Sequence, residues 1–167
     1  MLNLYVMRHS KSSWNDHNIS DFERPLSNRG KEDIKLIIAF LKKKKITFDL
    51  AYISSSRRTK QTFKILKNNI SCKKIIYSKK FYLCSESFIL NTIKNIKKKY
   101  KNILIVNHEP CCKNLVLKLI RKNKLSFIKK KFSTSAIAKL VFSIENWENL
   151  KNYSGNLTLF KTPKDFR

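Results

Sequence analysis

The chain has 167 residues, enough for one domain over residues 1–167 that buries about two-thirds of its unfolded surface. No apolar run approaches the roughly 18 residues of a membrane-spanning helix, and the N-terminus lacks the basic start of a signal peptide, so we expect a cytoplasmic protein that does not bind membranes. The formal net charge of +26 comes mostly from lysines spread over every segment, beside abundant isoleucine and asparagine, which AT-rich codons favour.

The apolar pattern predicts strands that alternate with helices. Short apolar or β-branched runs predict strands at residues 2–7, 50–54, 74–77, 102–106, 136–143 and 157–160. Apolar positions at helical spacing predict four helices. The first has apolar positions 34, 37, 38 and 41, with Ser27 as its N-cap, and the second has positions 59, 63 and 66. The third has positions 89, 93, 96 and 100, and the fourth, which follows Pro110, has positions 115, 119 and 120. This alternation indicates an α/β sheet that is covered on both faces.

Polar residues follow three of the predicted strands. Arg8 and His9 follow the first strand, residues 54–58 follow the second, and residues 107–109 follow the strand at 102–106. Ligands of α/β sheets bind beyond the carboxyl ends of the strands. We therefore expect these three segments to form one site.

Two imidazoles and two guanidinium groups at such an edge suit phosphoryl transfer. Arg8 and Arg58 can bind phosphate oxygens through paired, charge-assisted hydrogen bonds. Neutral His9 is a competent nucleophile toward phosphorus, and His108, if protonated, would stabilise the charge on the phosphoryl oxygens. Because protein groups supply the positive charge, we expect neither a metal ion nor another cofactor.

Other phosphate chemistries fit the sequence less well. A Walker A loop needs several glycines at fixed spacing, and the chain has two glycines in all. A cysteine phosphatase would carry an arginine six residues after its cysteine, and neither Cys111 nor Cys112 has one there. A zinc site made of His108 and these two cysteines would lack a second spaced pair of ligands. All four cysteines are expected to be reduced thiols.

Five stretches of the sequence match one family in order. The first is VMRHSKSSW, in which Arg-His is followed by a small residue, and the others are DFERPLSNRGKED (21–33), SSSRRTKQT (54–62), ILIVNHEP (103–110) and FSTSAIAKLVF (132–142). With these motifs the chain resembles the histidine phosphatase superfamily, and within it the SixA-type phosphohistidine phosphatases. The five stretches together span nearly the whole chain.

The resemblance implies a role for each matching residue. His9 matches the histidine that is transiently phosphorylated, and Arg8 matches its phosphate-binding neighbour. Arg58 matches the second phosphate-binding arginine, whereas Arg57 does not align with it. His108 matches the second histidine. The fold implied by the resemblance is a three-layer α/β/α sandwich with a central mixed, mostly parallel sheet, as in phosphoglycerate mutases, and we expect a monomer.

Further residues near the implied pocket are weaker candidates. Ser10 is small and could donate a hydrogen bond to substrate, and Ser135 matches a family position near the pocket. Arg24 could contact phosphate or pair with a neighbouring carboxylate. Asn107 and Glu109 stand where the family usually has glycine and asparagine, and Glu109 could weaken anion binding or raise the pKa of His108.

The leaving group determines whether the reaction needs a general acid. An alcohol needs one, and the candidate is Glu86, although the start of a helix favours its ionised form. A phosphohistidine ring can instead be protonated at its other nitrogen, so we expect phosphohistidine of a partner protein as the substrate. Two alternatives stay open: a hydrolase of small phosphate or pyrophosphate esters with the same core, and a non-catalytic protein whose charge binds nucleic acid.

Overall fold

Six strands form a mixed sheet in the computed structural model, which describes residues 1–123, 126 and 130–167. The strands are β1 (Leu2–Arg8), β2 (Phe48–Ser54), β3 (Cys72–Ser78), β4 (Asn102–Asn107), β5 (Ile137–Phe142) and β6 (Asn156–Lys161). Their order is β3-β2-β4-β1-β5-β6. The first four are parallel, β5 runs antiparallel to β1, and β6 runs antiparallel to β5. Each predicted strand is confirmed, with ends that shift by at most two residues.

Four α-helices connect these strands in the described part of the chain. They are α1 (Asn28–Lys43), α2 (Arg57–Lys67), α3 (Glu86–Lys94) and α4 (Cys111–Leu119). The cap of α1 is confirmed, since the Ser27 side chain accepts the Gly30 N–H at 3.0 Å. The predicted extension of α3 to position 100 is wrong, because α3 ends before Ile96 and Tyr100. Ile96 is buried all the same, so its spacing reflected burial rather than helix.

The strand side chains alternate between two helical layers. Leu4 and Val6 of β1 pack in the core cluster that contains the apolar residues of α3 and α4. Tyr5 and Met7 point to the opposite cluster, which contains those of α1 and α2. Both sheet faces are therefore covered, as expected for a three-layer α/β/α sandwich. None of the helices that the structure describes is long and apolar enough to cross a membrane.

The parallel pairing of β1 and β4 places two histidines side by side. Arg8 at the end of β1 lies opposite Asn107 at the end of β4, and the His9 N–H donates to the Asn107 carbonyl at 3.0 Å. β2 lies on the other side of β4 and ends at Ser54. The carboxyl ends of these three strands therefore deliver their next residues to one edge of the sheet.

Candidate active site

A cavity of about 670 Å³ opens at this edge of the sheet. Arg8, His9, Arg58 and His108 all line it. His9, Arg58 and His108 are each almost completely buried. The structure thus brings together the four side chains that the sequence selected from three separate segments.

The hydrogen bonds of His9 determine which ring nitrogen is free to react. Nδ1 lies 2.7 Å from the Ser10 carbonyl oxygen, which can only accept, so Nδ1 carries the hydrogen. Nε2 therefore has the lone pair, and it accepts a hydrogen bond from Arg58 Nε at 3.3 Å. Burial lowers the pKa of His9 to about 3, and the nearby positive charges add to this effect, although the bond to Ser10 opposes it. His9 is therefore a neutral imidazole at physiological pH, with Nε2 as its nucleophilic atom.

His108 has the opposite tautomer. Its Nδ1 accepts from Arg58 Nη2 at 3.2 Å, so the hydrogen lies on Nε2, which donates to Ser54 Oγ at 2.8 Å. The ring centroids of His9 and His108 are 5.1 Å apart. Ser54 thereby orients the second histidine, a role that the sequence did not reveal beyond its place at the end of a strand.

The pKa of His108 is not raised, so this one of the two effects considered for Glu109 is not seen. Burial lowers the pKa of His108 to about 3, the charges of Arg58 and Arg8 lower it further, and Asp21 partly opposes them. His108 is consequently neutral in the free protein. A phosphoryl dianion in the cavity would favour its protonated form, because an opposite charge stabilises an imidazolium.

Arg58 connects both histidines to the segment around Asp21. Besides its bonds to the two imidazoles, its Nη2 donates to Asp21 Oδ2 at 2.9 Å and its Nη1 donates to the Asp21 carbonyl at 2.5 Å. The Tyr82 hydroxyl donates to the same Asp21 oxygen at 2.5 Å. Arg57, by contrast, is exposed and lies 3.5 Å from the Glu23 carbonyl oxygen. Tyr82 is a part of the site that sequence reasoning missed, and Asp21 was expected only as a carboxylate beside the pocket that could pair with Arg24.

Arg8 is held at one end only. Its Nη1 donates to the Phe132 carbonyl at 3.0 Å, while its Nε is buried and has no hydrogen-bond partner among the described residues. Burial lowers the pKa of Arg8, and the Glu109 carboxylate opposes that shift. Arg8 lines the cavity, and a guanidinium group at that position is suited to bind a phosphate oxygen.

Ser10 and Ser135 lie behind His9 and do not line the cavity, so the expectation that they contact substrate is corrected. Their hydroxyl groups are 2.7 Å apart and fully buried. The Ser10 N–H donates to Thr62 Oγ1 at 3.0 Å, and the Ser135 N–H donates to the His9 carbonyl at 3.1 Å. Because these bonds hold the backbone on both sides of His9, the two serines support the histidine rather than bind substrate.

Arg24 also lies outside the cavity wall, so we do not assign it to substrate binding. Its guanidinium group stacks over the Trp14 ring, 3.5 Å from the ring centroid. Its Nε is 3.8 Å from Asp21 Oδ1. Of the two roles considered for Arg24, the structure therefore favours pairing with a neighbouring carboxylate, here that of Asp21.

Glu86 is not in the cavity, so its suggested role as general acid is corrected. It lies in the first turn of α3, with Oε1 3.8 Å from Lys118 Nζ. Glu109, by contrast, does line the cavity, and its Oε1 accepts the Lys113 N–H at 2.9 Å. Burial raises the pKa of Glu109, although this hydrogen bond and nearby cations oppose the rise.

His108, Cys111 and Cys112 do not form a zinc site. In the part of the chain that the structure describes, no three His, Cys, Asp or Glu side chains are grouped so that they could hold a metal ion. Cys112 Sγ lies 3.6 Å from the Met7 carbonyl oxygen, and Cys111 Sγ lies 4.0 Å from Asn107 Nδ2. Both thiols belong to the core under α4, whereas His108 faces the cavity.

Solved structures share this fold over nearly the whole chain. The protein histidine phosphatase SixA complexed with tungstate matches with a TM-score of 0.83 and 20% identity, over 99% of this chain and 100% of that chain. A protein assigned as phosphohistidine phosphatase SixA from Agrobacterium tumefaciens matches with a TM-score of 0.83 and 21% identity, over 97% and 98%. Phosphoserine phosphatase from Entamoeba histolytica, in complex with 3-phosphoglyceric acid, matches with a TM-score of 0.62 and 17% identity, over 97% and 98%.

The family model of the histidine phosphatase superfamily, branch 1, matches residues 4–81. The chain has the histidine phosphatase fold. The resemblance seen in the sequence motifs is thereby confirmed, together with the three-layer architecture that it implied. Comparison with curated protein sequences gives no match. The matched range contains Arg8, His9 and Arg58, and the histidine phosphatase fold then brings His108 from outside that range to the same cavity.

Proposed function

We propose that this chain is a phosphatase that forms a phosphohistidine intermediate on His9 and removes phosphate from phosphohistidine of a partner protein. The observation that carries the proposal is the neutral His9 ring, whose Nε2 lone pair lies within the cluster of Arg8, Arg58 and His108. A nucleophile for phosphorus and cations for the phosphoryl oxygens are thus present in one cavity.

In the first step of the proposed reaction, Nε2 of His9 attacks phosphorus. The bond between phosphorus and Nε2 forms as the bond to the leaving nitrogen breaks. Arg58 Nε, which donates to Nε2 in the free protein, then donates to a phosphoryl oxygen instead. The Arg8 guanidinium group binds a second oxygen. As negative charge accumulates beside it, Nδ1 of His108 takes a proton from solvent in place of its hydrogen bond from Arg58 Nη2, and it returns that proton to solvent when phosphate leaves.

In the second step, water attacks the phosphorus of phospho-His9. The bond from phosphorus to Nε2 breaks, inorganic phosphate leaves, and His9 returns to its neutral form. The cations that bind the phosphoryl oxygens in both steps are protein side chains, so the proposed reaction proceeds without a metal ion.

Two of the cavity carboxylates, Asp21 and Asp33, have surroundings that favour a leaving group that needs little acid assistance. Hydrogen bonds from Tyr82 and Arg58 hold the pKa of Asp21 below its usual value, although burial alone would raise it. Asp33 pairs with both Arg29 and Arg167. Asp21 is therefore not suited to donate a proton, and the Asp33 carboxylate is occupied by its two arginine partners. A phosphohistidine ring leaves as a neutral imidazole when its other nitrogen is protonated, which suits this arrangement.

Trapping the intermediate tests the proposed function. The protein is mixed with a ³²P-labelled phosphohistidine peptide, quenched in alkali, in which phosphohistidine is stable, and digested for peptide mapping. We expect transient label on the peptide that contains His9. No label should appear in His9→Ala, while the exposed His17→Ala variant should label as the parent does. Unchanged phosphate release by His9→Ala would contradict the proposal.

Glu109 supports a second candidate function, the hydrolysis of small phosphate esters. Its carboxyl group lines the cavity, and burial raises its pKa, so it could protonate an alcohol leaving group. Turnover of sugar phosphates and of phosphohistidine is compared at equal concentration. If this function holds, Glu109→Gln loses ester turnover and keeps phosphohistidine turnover, whereas Glu86→Gln, outside the cavity, changes neither.

A further inference from the structure

The cavity is larger than the group that reacts in it. Its volume of about 670 Å³ lies in the range of roughly 300–1,000 Å³ that is typical of sites for whole organic ligands. The four reacting side chains line one part of it. The remaining lining residues include a set of basic side chains, which we call the basic rim: Lys11, Arg29, Lys131, Lys164 and Arg167.

The basic rim has more positive charge than its neighbours neutralise. Arg29 and Arg167 share a single carboxylate, that of Asp33, and the bond from Arg29 Nε measures 3.1 Å. Lys11, Lys131 and Lys164 are exposed, and none of them has an ion pair within the described ranges. Among the residues that the structure describes, seven basic side chains and three carboxylates line the cavity.

The backbone holds two of the rim lysines in place. The Lys11 carbonyl accepts the Ser27 N–H at 2.9 Å, which ties the segment after β1 to the start of α1. Lys164 lies in a short turn in which the Asp165 carboxylate accepts the Thr162 N–H at 2.6 Å. The backbone that carries these two side chains is therefore ordered before binding, which reduces the cost of ordering on binding.

Two large apolar side chains lie beside these charges. Trp14 is 61% exposed and Leu83 is 73% exposed, and both line the same cavity. Arg24 covers one face of the Trp14 ring. Leu83 has a φ of 54°, which is uncommon for leucine, on a segment that leaves its side chain in solvent. Exposed aromatic side chains next to arginine are typical of surfaces that bind proteins, and Leu83 adds an apolar contact beside them.

We propose that the basic rim, with Trp14 and Leu83, binds an acidic protein segment in which apolar residues accompany the phosphorylated side chain. This inference rests on the proposed function and identifies the substrate class of the same site. An acidic peptide with apolar residues suits the surface better than nucleic acid does, because the exposed aliphatic Leu83 can pack against apolar side chains. The stacking of bases on an aromatic ring, which single strands use, is limited here because Arg24 covers one face of Trp14.

Equilibrium binding tests the proposal without requiring turnover. Fluorescent phosphohistidine peptides with acidic or with lysine-rich flanks are titrated with the His9→Ala protein and followed by anisotropy. We expect tighter binding of the acidic peptide. In that background, Lys131→Glu/Lys164→Glu should weaken its binding about tenfold at low salt and much less at high salt. Leu83→Ser should weaken binding several-fold at both salt concentrations.

A matched control separates the rim from the charge of the whole protein. Lys97→Glu/Lys98→Glu makes the same change in net charge just before β4, at the opposite edge of the sheet. The control should bind the acidic peptide within twofold of the parent. An equal loss in both double variants would overturn the proposal, because the attraction would then come from the overall charge of +26.

Two further outcomes are decisive. Equal affinity for the acidic and the lysine-rich peptide would overturn the proposal. A single-stranded oligonucleotide with the same net charge as the acidic peptide is titrated as well, and if it binds more tightly than that peptide, the proposal is overturned in favour of nucleic acid. Turnover of both phosphohistidine peptides by the protein with His9 intact is measured in parallel. Its absence counts against the proposed function, while the peptide titrations still decide whether the rim prefers acidic segments.

Discussion

The rings of His9 and His108 lie 5.1 Å apart, and the guanidinium group of Arg58 donates a hydrogen bond to each. Arg58 therefore sets the tautomer of both imidazoles at once. It leaves the lone pair of His9 on Nε2 and the hydrogen of His108 on Nε2. This shared donor turns two histidines from separate strands into one chemical unit.

The first prediction concerns the pH dependence of stability. Folding lowers the pKa of His9 and His108 from the ordinary value to about 3. The unfolded chain then binds more protons below about pH 6.5, so the free energy of unfolding falls as the pH falls. Between pH 8 and pH 5 we expect a loss of about 2 kcal/mol for each histidine. Urea unfolding at the two pH values measures it.

A double variant provides the control for this prediction. In His9→Asn/His108→Asn, both buried imidazoles are removed while the other charges stay, so the decrease between pH 8 and pH 5 should be smaller by about 4 kcal/mol. An identical pH dependence in parent and variant would show that these histidines titrate normally in the folded protein.

The second prediction compares two adjacent arginines. Arg58→Ala removes the donor shared by both histidines and should lower kcat/KM for phosphohistidine by about 10²–10³. Arg57→Ala removes an exposed side chain with one long contact to a carbonyl, so its kcat/KM should stay close to that of the parent. Steady-state kinetics decides, and equal effects of the two substitutions would argue against the assignment of Arg58.

The third prediction concerns Ser54, which positions His108 through a bond of 2.8 Å. Ser54→Ala should lower kcat roughly tenfold with little change in KM, because it loosens a ring that acts on the transferring group. Ser56→Ala is the matched control, since its hydroxyl contacts Thr59 and neither histidine. Equal kcat values for the two variants would remove the positioning role from Ser54.

The fourth prediction tests the close approach of α1 to the loop after His9. A Cβ on Gly30 would overlap the Lys11 carbonyl oxygen and lie 2.9 Å from the Lys11 nitrogen. Gly→Ala within a helix usually gains up to about 1 kcal/mol. Here we expect a loss of about 1–3 kcal/mol in the free energy of unfolding, because backbone must move. Lys31→Ala, at an exposed position of α1, should change it by less than about 0.5 kcal/mol.

The strands were predictable because local sequence carries their signal. Strands that are buried on both faces, such as β1 and β4, are continuous apolar runs, and that pattern needs no knowledge of the neighbours. The strand order and the antiparallel direction of β5 depend on pairings between distant segments, and the residues alone do not report them. In α3 the apolar spacing continues past the helix end, because Ile96 packs in the core from a turn.

The residues of the site likewise include some that local sequence predicts and some that it does not. Arg8, His9 and His108 follow strand ends, and the geometry of an α/β sheet places such residues at one edge. Asp21 and Tyr82 come from connecting segments, which are joined by the edge-to-face contact of Phe22 with Tyr82 at 4.9 Å between ring centroids. No local pattern marks that contact.

The sequence by itself determined the α/β class, the strand positions, and the two histidines and two arginines at the carboxyl edge. The reason is that local apolar patterns indicate which segments are buried strands and where those strands end. Only the tertiary structure decided that Glu86 faces away from the cavity, that Ser10 and Ser135 lie behind His9, and which nitrogen of each imidazole holds the hydrogen. Those properties depend on side-chain directions and hydrogen-bond partners supplied by segments far apart in the chain.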